Sequence, residues 1–183
     1  MSPHLNIATF NCNGLRDFRK RSRVFDFLKY HKLDVIFLQE THLSNTIEKK
    51  EWEKQWAGKI YCSFGFSNSA GVCILFRRGL SAVVKRCKFD PEGRYVIVDC
   101  LISNVNVRMI DVYCHNTDRD RGKFLQELLP YLMCNAVIVL GGDFNFVENP
   151  VADKTGGAPV LSAQSCAAIR QTTIFLKLPT HRR

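Results

Sequence analysis

AVIVLGGDFN, residues 136–145, is the stretch that decides the fold. Its first five residues, Ala136 to Leu140, form an unbroken apolar run closed by two glycines, which is typical of a strand buried on both faces. Asp143 and Asn145 follow one residue apart, and side chains at i and i+2 of an extended chain point to the same side. We therefore expect a carboxylate and a carboxamide to face one ligand at the rim of a sheet, with Gly142 leaving room for a bulky polyanion to approach the backbone. An Asx-type turn that only closes the strand is the alternative interpretation.

The composition describes a globular chain with a basic surface. Its 183 residues are enough for one domain with one sizeable core. Lysine and arginine total 26 against 17 acidic residues, and the resulting net charge of +9 favours a polyanionic partner. The N-terminus does not have the pattern of a secretion signal, and no apolar run approaches membrane-spanning length. We therefore expect an intracellular, monomeric protein of the nucleus or cytoplasm that does not contact membranes.

Eight cysteines are scattered along the chain, most of them in apolar, strand-like segments. No C-x-x-C pair is present, so the sequence indicates neither a zinc site nor a dithiol redox motif. We interpret the cysteines as buried thiols in a reducing compartment.

Hydrophobic periodicity predicts three helices and eight strands up to residue 145. The helices are expected over 22–31, over 47–56 and around 124–132, where Pro130 should kink or end the helix. The strands before residue 136 are expected over 5–10, 35–42, 60–64, 72–76, 82–88, 95–102 and 105–113, with Ser103 and Asn104 as a hairpin turn. Beyond residue 145 the pattern weakens, and a helix over 163–170 and a strand over 172–178 are expected.

Polar side chains follow four of the apolar strands at the point where each strand ends. An apolar strand normally ends in glycine or in a solvated turn, so four ends that each carry a metal-binding or phosphate-binding group predict one shared site. The four groups are Asn11 with Asn13, Glu40, Tyr113 with Asn116, and Asp143 with Asn145.

The segments that carry these groups resemble the endonuclease/exonuclease/phosphatase superfamily. The matching pieces are ATFNCNGL, IFLQETHL, GVCILF, DVYCHN and VLGGDFN, in the order and roughly the spacing of the family. ATFNCNGL, QETHL and GGDFN are most similar to the endonuclease domain of LINE-type retroelements, which are relatives of exonuclease III and the apurinic/apyrimidinic endonucleases. The resemblance covers residues 5–153 and implies an α/β (α+β) fold, a four-layered sandwich of two packed mixed sheets flanked by helices.

The resemblance also implies a site that uses Mg²⁺, with Mn²⁺ as a possible substitute. Breaking a phosphodiester requires charge neutralisation at the phosphoryl oxygens and a water in line, and a hard divalent cation takes oxygen ligands. By this resemblance Glu40 is the metal ligand, with Asn11 beside it. Asp143 orients or deprotonates the attacking water, Asn145 holds the phosphate and that aspartate, and Tyr113 approaches the phosphate. The alternatives are a surface glutamate at a strand end for Glu40 and a core aromatic for Tyr113.

Four further residues are expected to bind the phosphate or the substrate: Asn13, Asn116, Arg16 and Arg119. Asn13 stands where many relatives carry an aspartate, and Asn116 matches the asparagine that follows the family tyrosine. His115 departs from the family pattern, where proline is common, and neither it nor His42 is given a catalytic role. The basic residues lie in two runs, five of them between positions 16 and 23 and three at positions 119, 121 and 123. They are either a DNA track or a solvated surface.

The family's late Ser-Asp-His triplet has no counterpart in these 183 residues. His181 is the one histidine after His115, and no acidic residue lies near it in sequence. We therefore expect a truncated copy of a single domain over 1–183, with a weakly ordered or divergent end over 154–183 and the last strands missing. Because preorganised electrostatic groups are each worth roughly 10²–10³ in rate, we expect impaired turnover.

The function expected from these residues is metal-dependent hydrolysis of phosphodiester bonds in DNA, by nicking or in the manner of exonuclease III. Two alternatives stay open. One is a phosphatase or phosphodiesterase of the superfamily that acts on a small phosphorylated molecule such as a phosphoinositide. The other is a non-catalytic remnant that binds nucleic acid.

Overall fold

Strands and helices alternate along residues 5–66 and 69–145, which are the residues that the computed structural model describes. The strands are β1 (Ile7–Asn11), β2 (Val35–Gln39), β3 (Lys59–Ser63), β4 (Val72–Phe76), β5 (Ala82–Phe89), β6 (Tyr95–Ile102), β7 (Val105–Tyr113) and β8 (Val137–Asp143). The helices are α1 (Phe18–Tyr30), α2 (Thr46–Trp56) and α3 (Asp118–Leu132). In the described part of the chain, no helix combines the length and the apolar character needed to cross a membrane.

The strands form two four-stranded mixed sheets. The first has the order β1-β2-β4-β3 and the second the order β5-β6-β7-β8. β1 pairs in parallel with β2, and β7 with β8, so each pair needs a crossover connection, which α1 and α3 provide. The other neighbours are antiparallel. Ser103 and Asn104, both at positive φ, make the hairpin turn that the sequence predicts between β6 and β7.

Apolar side chains separate four layers. Val35, Phe37 and Ile74 of the first sheet pack against Val98 and Met109 of the second. On the outer face of the first sheet, α1 and α2 bury Phe25, Trp52 and Trp56, and α3 covers the second sheet through Leu125, Leu128 and Leu132. The order helix, sheet, sheet, helix confirms the predicted α/β sandwich.

The predicted element bounds differ from the structure mainly at polar ends. α1 begins at Phe18 rather than at residue 22, because the Asp17 side chain accepts a hydrogen bond from the Lys20 N–H at 2.7 Å and caps the helix. Pro130 lies in the last turn of α3, which ends two residues later. Five of the seven free cysteines in the described residues are buried, and Cys87 and Cys134 are half-buried. Cys166, the segments predicted over 163–170 and 172–178, and the proposed end region over 154–183 lie outside the described residues.

Candidate active site

The carboxyl ends of β1, β2, β7 and β8 meet at one edge of the sandwich. Parallel pairing places Asn11 beside Gln39 in the first sheet and Tyr113 beside Asp143 in the second. The Asn11 side-chain Nδ2 donates to Glu40 Oε1 at 2.9 Å and to Asp143 Oδ2 at 2.8 Å. One amide therefore joins a carboxylate of the first sheet to a carboxylate of the second.

The backbone turns sharply where these strands end. Asn13, Glu40 and Asn145 have φ values of 45°, 51° and 51°, in the left-handed region that non-glycine residues seldom adopt. The loop after β1 stays paired with the chain after β2, since the Gly14 N–H donates to the Glu40 carbonyl at 2.6 Å and the Leu15 N–H to the Thr41 carbonyl at 3.1 Å. These bonds hold Asn11 and Glu40 at fixed relative positions despite the unfavourable φ values.

Asp143 and Asn145 share a local network at the end of β8. The Asn145 N–H donates to Asp143 Oδ1 at 2.9 Å, so each carboxylate oxygen of Asp143 accepts one hydrogen bond. The Asn145 side chain donates through Nδ2 to the Cys114 carbonyl at 2.7 Å, which ties the end of β8 to the loop after β7. This bonding fixes the orientation of the carboxylate and leaves lone pairs on both of its oxygens.

Tyr113 lies beneath the two carboxylates and is 9% exposed. Burial, together with a hydrogen bond to Glu40 and the Glu40 charge, raises the pKa of Tyr113 to about 12. The phenol therefore keeps its proton at neutral pH, and its O–H donates a hydrogen bond to the Glu40 carboxylate. The Tyr113 ring packs in the core between the sheets, as the core-aromatic interpretation expects, and its approach to the phosphate stays a prediction.

The four residues assigned to substrate binding are exposed around this cluster. The Asn13 N–H donates to Asn11 Oδ1 at 3.1 Å, while the Asn13 carbonyl accepts from Lys20 Nζ at 2.6 Å. Arg16 Nε lies 4.0 Å from Glu48 Oε1. Asn116 is in the loop after β7, and Arg119 is in the first turn of α3. Asn13, Arg16, Asn116 and Arg119 thus lie in the loops and the helix start that follow β1 and β7.

Arg121 and Arg21, grouped in the sequence with the basic runs, are not surface cations. Arg121 is 5% exposed, and its Nη1 donates to the carbonyls of His115, Asn116 and Asn145 at 3.1, 3.1 and 2.8 Å, while Nη2 donates to Asp118. Arg21, also 5% exposed, donates to the Leu15 and Arg16 carbonyls, each at 3.0 Å. Each is the fourth residue of the helix that follows a site loop, and each holds the carbonyls of that loop. For these two residues, both interpretations of the basic runs, a DNA track and a solvated surface, are wrong.

Sequence reasoning missed Arg94, which lies beside Tyr113. Its guanidinium carbon is 5.0 Å from the centroid of the Tyr113 ring. Arg94 precedes a strand instead of ending one, so the pattern of polar groups at strand ends does not include it. The antiparallel pairing of β6 with β7 brings the start of β6 to the end of β7, and that pairing is the signal that could have found it.

The glycines before Asp143 serve packing rather than substrate access. A Cβ on Gly142 would lie 2.0 Å from the Val112 carbonyl oxygen, and a Cβ on Gly141 would lie 2.6 Å from a carbon of the Phe37 ring. The expectation that Gly142 leaves room for a polyanion is therefore wrong, because that space is filled by β7.

The donor set suits a hard cation. Among the described residues, no group of three His, Cys, Asp or Glu side chains is placed to hold a metal ion. Mg²⁺ is commonly bound through one or two carboxylates, with waters and substrate phosphate completing its shell. Glu40 supplies one such carboxylate, and Asn11 Oδ1 keeps a second lone pair beside the hydrogen bond that it accepts.

Comparison with known proteins gives a family and a fold. Residues 8–158 match the Endonuclease/Exonuclease/phosphatase family. The chain is 29% identical over 145 residues to the "Transposon TX1 uncharacterized 149 kDa protein" of Xenopus laevis, which covers 78% of this chain and 11% of that protein. It is 22% identical over 172 residues to the exodeoxyribonuclease of Bacillus subtilis, covering 82% of this chain and 64% of the relative. The chain therefore spans about a tenth of the first relative and less than two thirds of the second.

The solved structure of an AP endonuclease from Archaeoglobus fulgidus has the same fold. The TM-score is 0.72 at 20% identity, over 93% of this chain and 70% of that one. At this identity the likeness concerns the arrangement of the two sheets and the helices.

Proposed function

Since the chain belongs to the endonuclease/exonuclease/phosphatase family, we propose that it hydrolyses phosphodiester bonds of DNA in a metal-dependent reaction. The observation that carries the proposal is the Asn11 side chain, which bonds Glu40 and Asp143 from opposite sheets at 2.9 and 2.8 Å. Two carboxylates bridged by one neutral amide form a negatively charged site that attracts a cation and, with it, a phosphate.

Glu40, with Asn11 beside it, would hold Mg²⁺ or Mn²⁺. The bound ion supplies charge neutralisation at the phosphoryl oxygens. Tyr113 orients the Glu40 carboxylate through its hydroxyl, and because its pKa is raised to about 12 it does so as a neutral donor over the whole physiological range.

Asp143 is the base in this proposal. Asn11 and the Asn145 N–H each occupy one lone pair of its carboxylate, and the remaining lone pairs can accept a proton from a water aligned with the scissile bond. The water oxygen forms the new bond to phosphorus, its proton passes to Asp143, the bond from phosphorus to the leaving oxygen breaks, and the leaving oxygen takes a proton from solvent water. The Ser-Asp-His triplet by which the family stabilises the developing charge is absent from the sequence, so slow turnover is part of the proposal.

DNA is the proposed substrate because the chain is positively charged and because similar proteins act on DNA. The net charge is +9, and Arg16, Arg19, Lys20 and Arg23 are exposed at the start of α1 and just before it, next to the loop that carries Asn13. An exodeoxyribonuclease and an AP endonuclease are among the similar proteins. These observations favour a nucleic acid over a small phosphorylated molecule.

Nicking of supercoiled plasmid by the purified 183-residue chain tests the proposal. With Mg²⁺ we expect slow conversion to open circles, no conversion in EDTA, and a loss of roughly 10²-fold or more in Asp143→Ala, because the base is removed. Asp26→Ala, which removes an exposed carboxylate on α1, is the matched control and should nick like the parent.

Two outcomes would contradict the proposal. Nicking that persists in Asp143→Ala would show that the activity does not come from this site. A chain that binds DNA in a Mg²⁺-dependent manner but never nicks it would be a binding remnant instead of an enzyme.

A further inference from the structure

Arg94 is a half-buried cation in direct contact with the candidate site. Its guanidinium lies over the ring of Tyr113, whose hydroxyl bonds Glu40. Its carbonyl accepts the Tyr113 N–H at 2.7 Å, and its own N–H donates to Asp90 Oδ2 at 2.7 Å. Backbone and ring therefore hold the residue at the end of β7, where Asp143 is the register partner of Tyr113.

The Arg94 guanidinium donates to no acceptor in the part of the chain that the structure describes. Within residues 5–66 and 69–145, no carboxylate oxygen lies within 4.0 Å of its nitrogens. Arg21 and Arg121 behave differently, since they donate to loop carbonyls. A half-buried guanidinium that is stacked on a ring keeps its in-plane N–H groups available, and these groups match two phosphate oxygens.

We propose that Arg94 binds a backbone phosphate of the DNA strand that is cleaved, adjacent to the scissile phosphate. The inference rests on the proposed function for its substrate but concerns binding alone. A cation at this position offsets the negative charge of Glu40 and Asp143, which would otherwise repel the DNA strand that they act on. Stacking on Tyr113 fixes the guanidinium before DNA arrives, so little side-chain freedom is lost on binding.

Binding of a short fluorescent duplex to the full chain, measured against salt concentration with Ca²⁺ in place of Mg²⁺, tests this assignment. Arg94→Gln should weaken binding about tenfold or more and reduce the log–log salt slope by about 0.9, the value for one phosphate. Arg94→Lys keeps the charge, so it should keep the slope and lose only part of the affinity.

Arg78→Gln is the matched control. Arg78 is exposed after β4, whose last residue Phe76 pairs with Val35 at the start of β2, so it lies at the end of the first sheet away from the site. Arg78→Gln removes the same charge as Arg94→Gln and should leave the DNA affinity and the salt slope unchanged. The thermal midpoint of each variant, measured in parallel, identifies any loss that comes from unfolding.

An unchanged slope in Arg94→Gln would overturn the inference, even if the affinity fell, because the residue would then only support Tyr113. Equal effects of Arg94→Gln and Arg78→Gln would overturn it as well, since they would reflect net charge. If Arg94→Gln weakened competition by inorganic phosphate and left the duplex slope intact, the residue would hold a small phosphate instead. Failure to bind duplex at all refutes the assignment, whereas binding without cleavage in Mg²⁺ refutes only the proposed function.

Discussion

Asp111 is a carboxyl group enclosed between the two sheets with no exposed surface. It accepts a hydrogen bond from Gln39 Nε2 at 2.6 Å, and Gln39 Nε2 also donates to Thr9 Oγ1 at 3.0 Å. Burial raises the pKa of Asp111 well above its ordinary value, and the Gln39 hydrogen bond only partly offsets this effect. Burial therefore favours the protonated form of Asp111, and the Asp111–Gln39 pair joins β7 to β2 directly before Glu40 and two residues before Tyr113.

Replacement of Asp111 by Asn should remove a pH dependence of stability. The folded chain keeps the Asp111 proton above the ordinary pKa of 3.8, while the unfolded chain releases it, so the unfolding free energy of the parent falls as pH rises. Relative to Asp111→Asn, the parent should lose up to about 1.4 kcal/mol per pH unit above that value, until the folded pKa is reached. Urea unfolding at pH 5, 6 and 7, followed by the fluorescence of the two buried tryptophans, measures the difference. Parallel pH profiles would show that folded Asp111 is ionised.

In β8 the glycines of the sequence pattern have a different role from the one that the pattern suggests. The pattern GGDFN predicts a strand end that presents Asp143 and Asn145 on one side. The structure ends the strand at Asp143, but Asn145 lies beyond it at φ 51° and donates its side chain to the Cys114 carbonyl. The two glycines, however, are required by close packing against Val112 and Phe37. The sequence shows that the two residues are glycines. The structure is needed to show that Val112 and Phe37 fill the space that a side chain would occupy.

Gly142→Ala should therefore lower the free energy of unfolding far more than the same substitution at an exposed glycine. Gly142 has φ +140° and its Cβ would meet backbone at 2.0 Å, so we expect a loss of roughly 3–5 kcal/mol of unfolding free energy from strain and overpacking together. Gly79, with φ +79° and 4.0 Å to the nearest atom, is the matched control, and Gly79→Ala should cost roughly 1 kcal/mol from the backbone alone. Urea midpoints of the two variants give the comparison. Equal losses would mean that β8 moves away from β7 at little cost.

Hydrophobic periodicity predicts the bounds of an element well where its residues are apolar and poorly where its ends consist of polar residues. β4, β6 and β7 have the predicted bounds because burial alone fixes their pattern. The start of α1 was misplaced because its first turn is a run of basic residues, which looks the same in a loop and in a helix. The sequence does not reveal the contacts of Arg21, Arg94 and Arg121 for a related reason, since their partners are backbone carbonyls or a ring supplied by other elements. The pairing of the sheets, which brings Glu40 to Asp143, came from family resemblance and not from periodicity.

The candidate site belongs to neither sheet alone. Asn11 and Glu40 come from the first sheet, Tyr113 and Asp143 from the second, and the bonds of Asn11 to Glu40 and Asp143 span the two. A cation bound at Glu40 beside Asp143 would reduce the repulsion between two carboxylates that folding forces together. Cation binding and packing of the sheets are therefore expected to be linked, because an unfolded chain does not hold the two groups near each other.

Mg²⁺ should accordingly raise the thermal midpoint of the whole chain. At a Mg²⁺ concentration ten times the dissociation constant, binding to the folded state alone adds about 1.4 kcal/mol, which corresponds to a shift of roughly 3–5 °C for a chain of this length. Glu40→Gln keeps the shape of the side chain but removes the charged ligand, so the shift should disappear. Glu51→Gln, an exposed glutamate on α2, should keep the full shift and controls for general screening of charge. A full shift in Glu40→Gln would place the bound ion elsewhere and remove the basis for a metal-dependent site between the sheets.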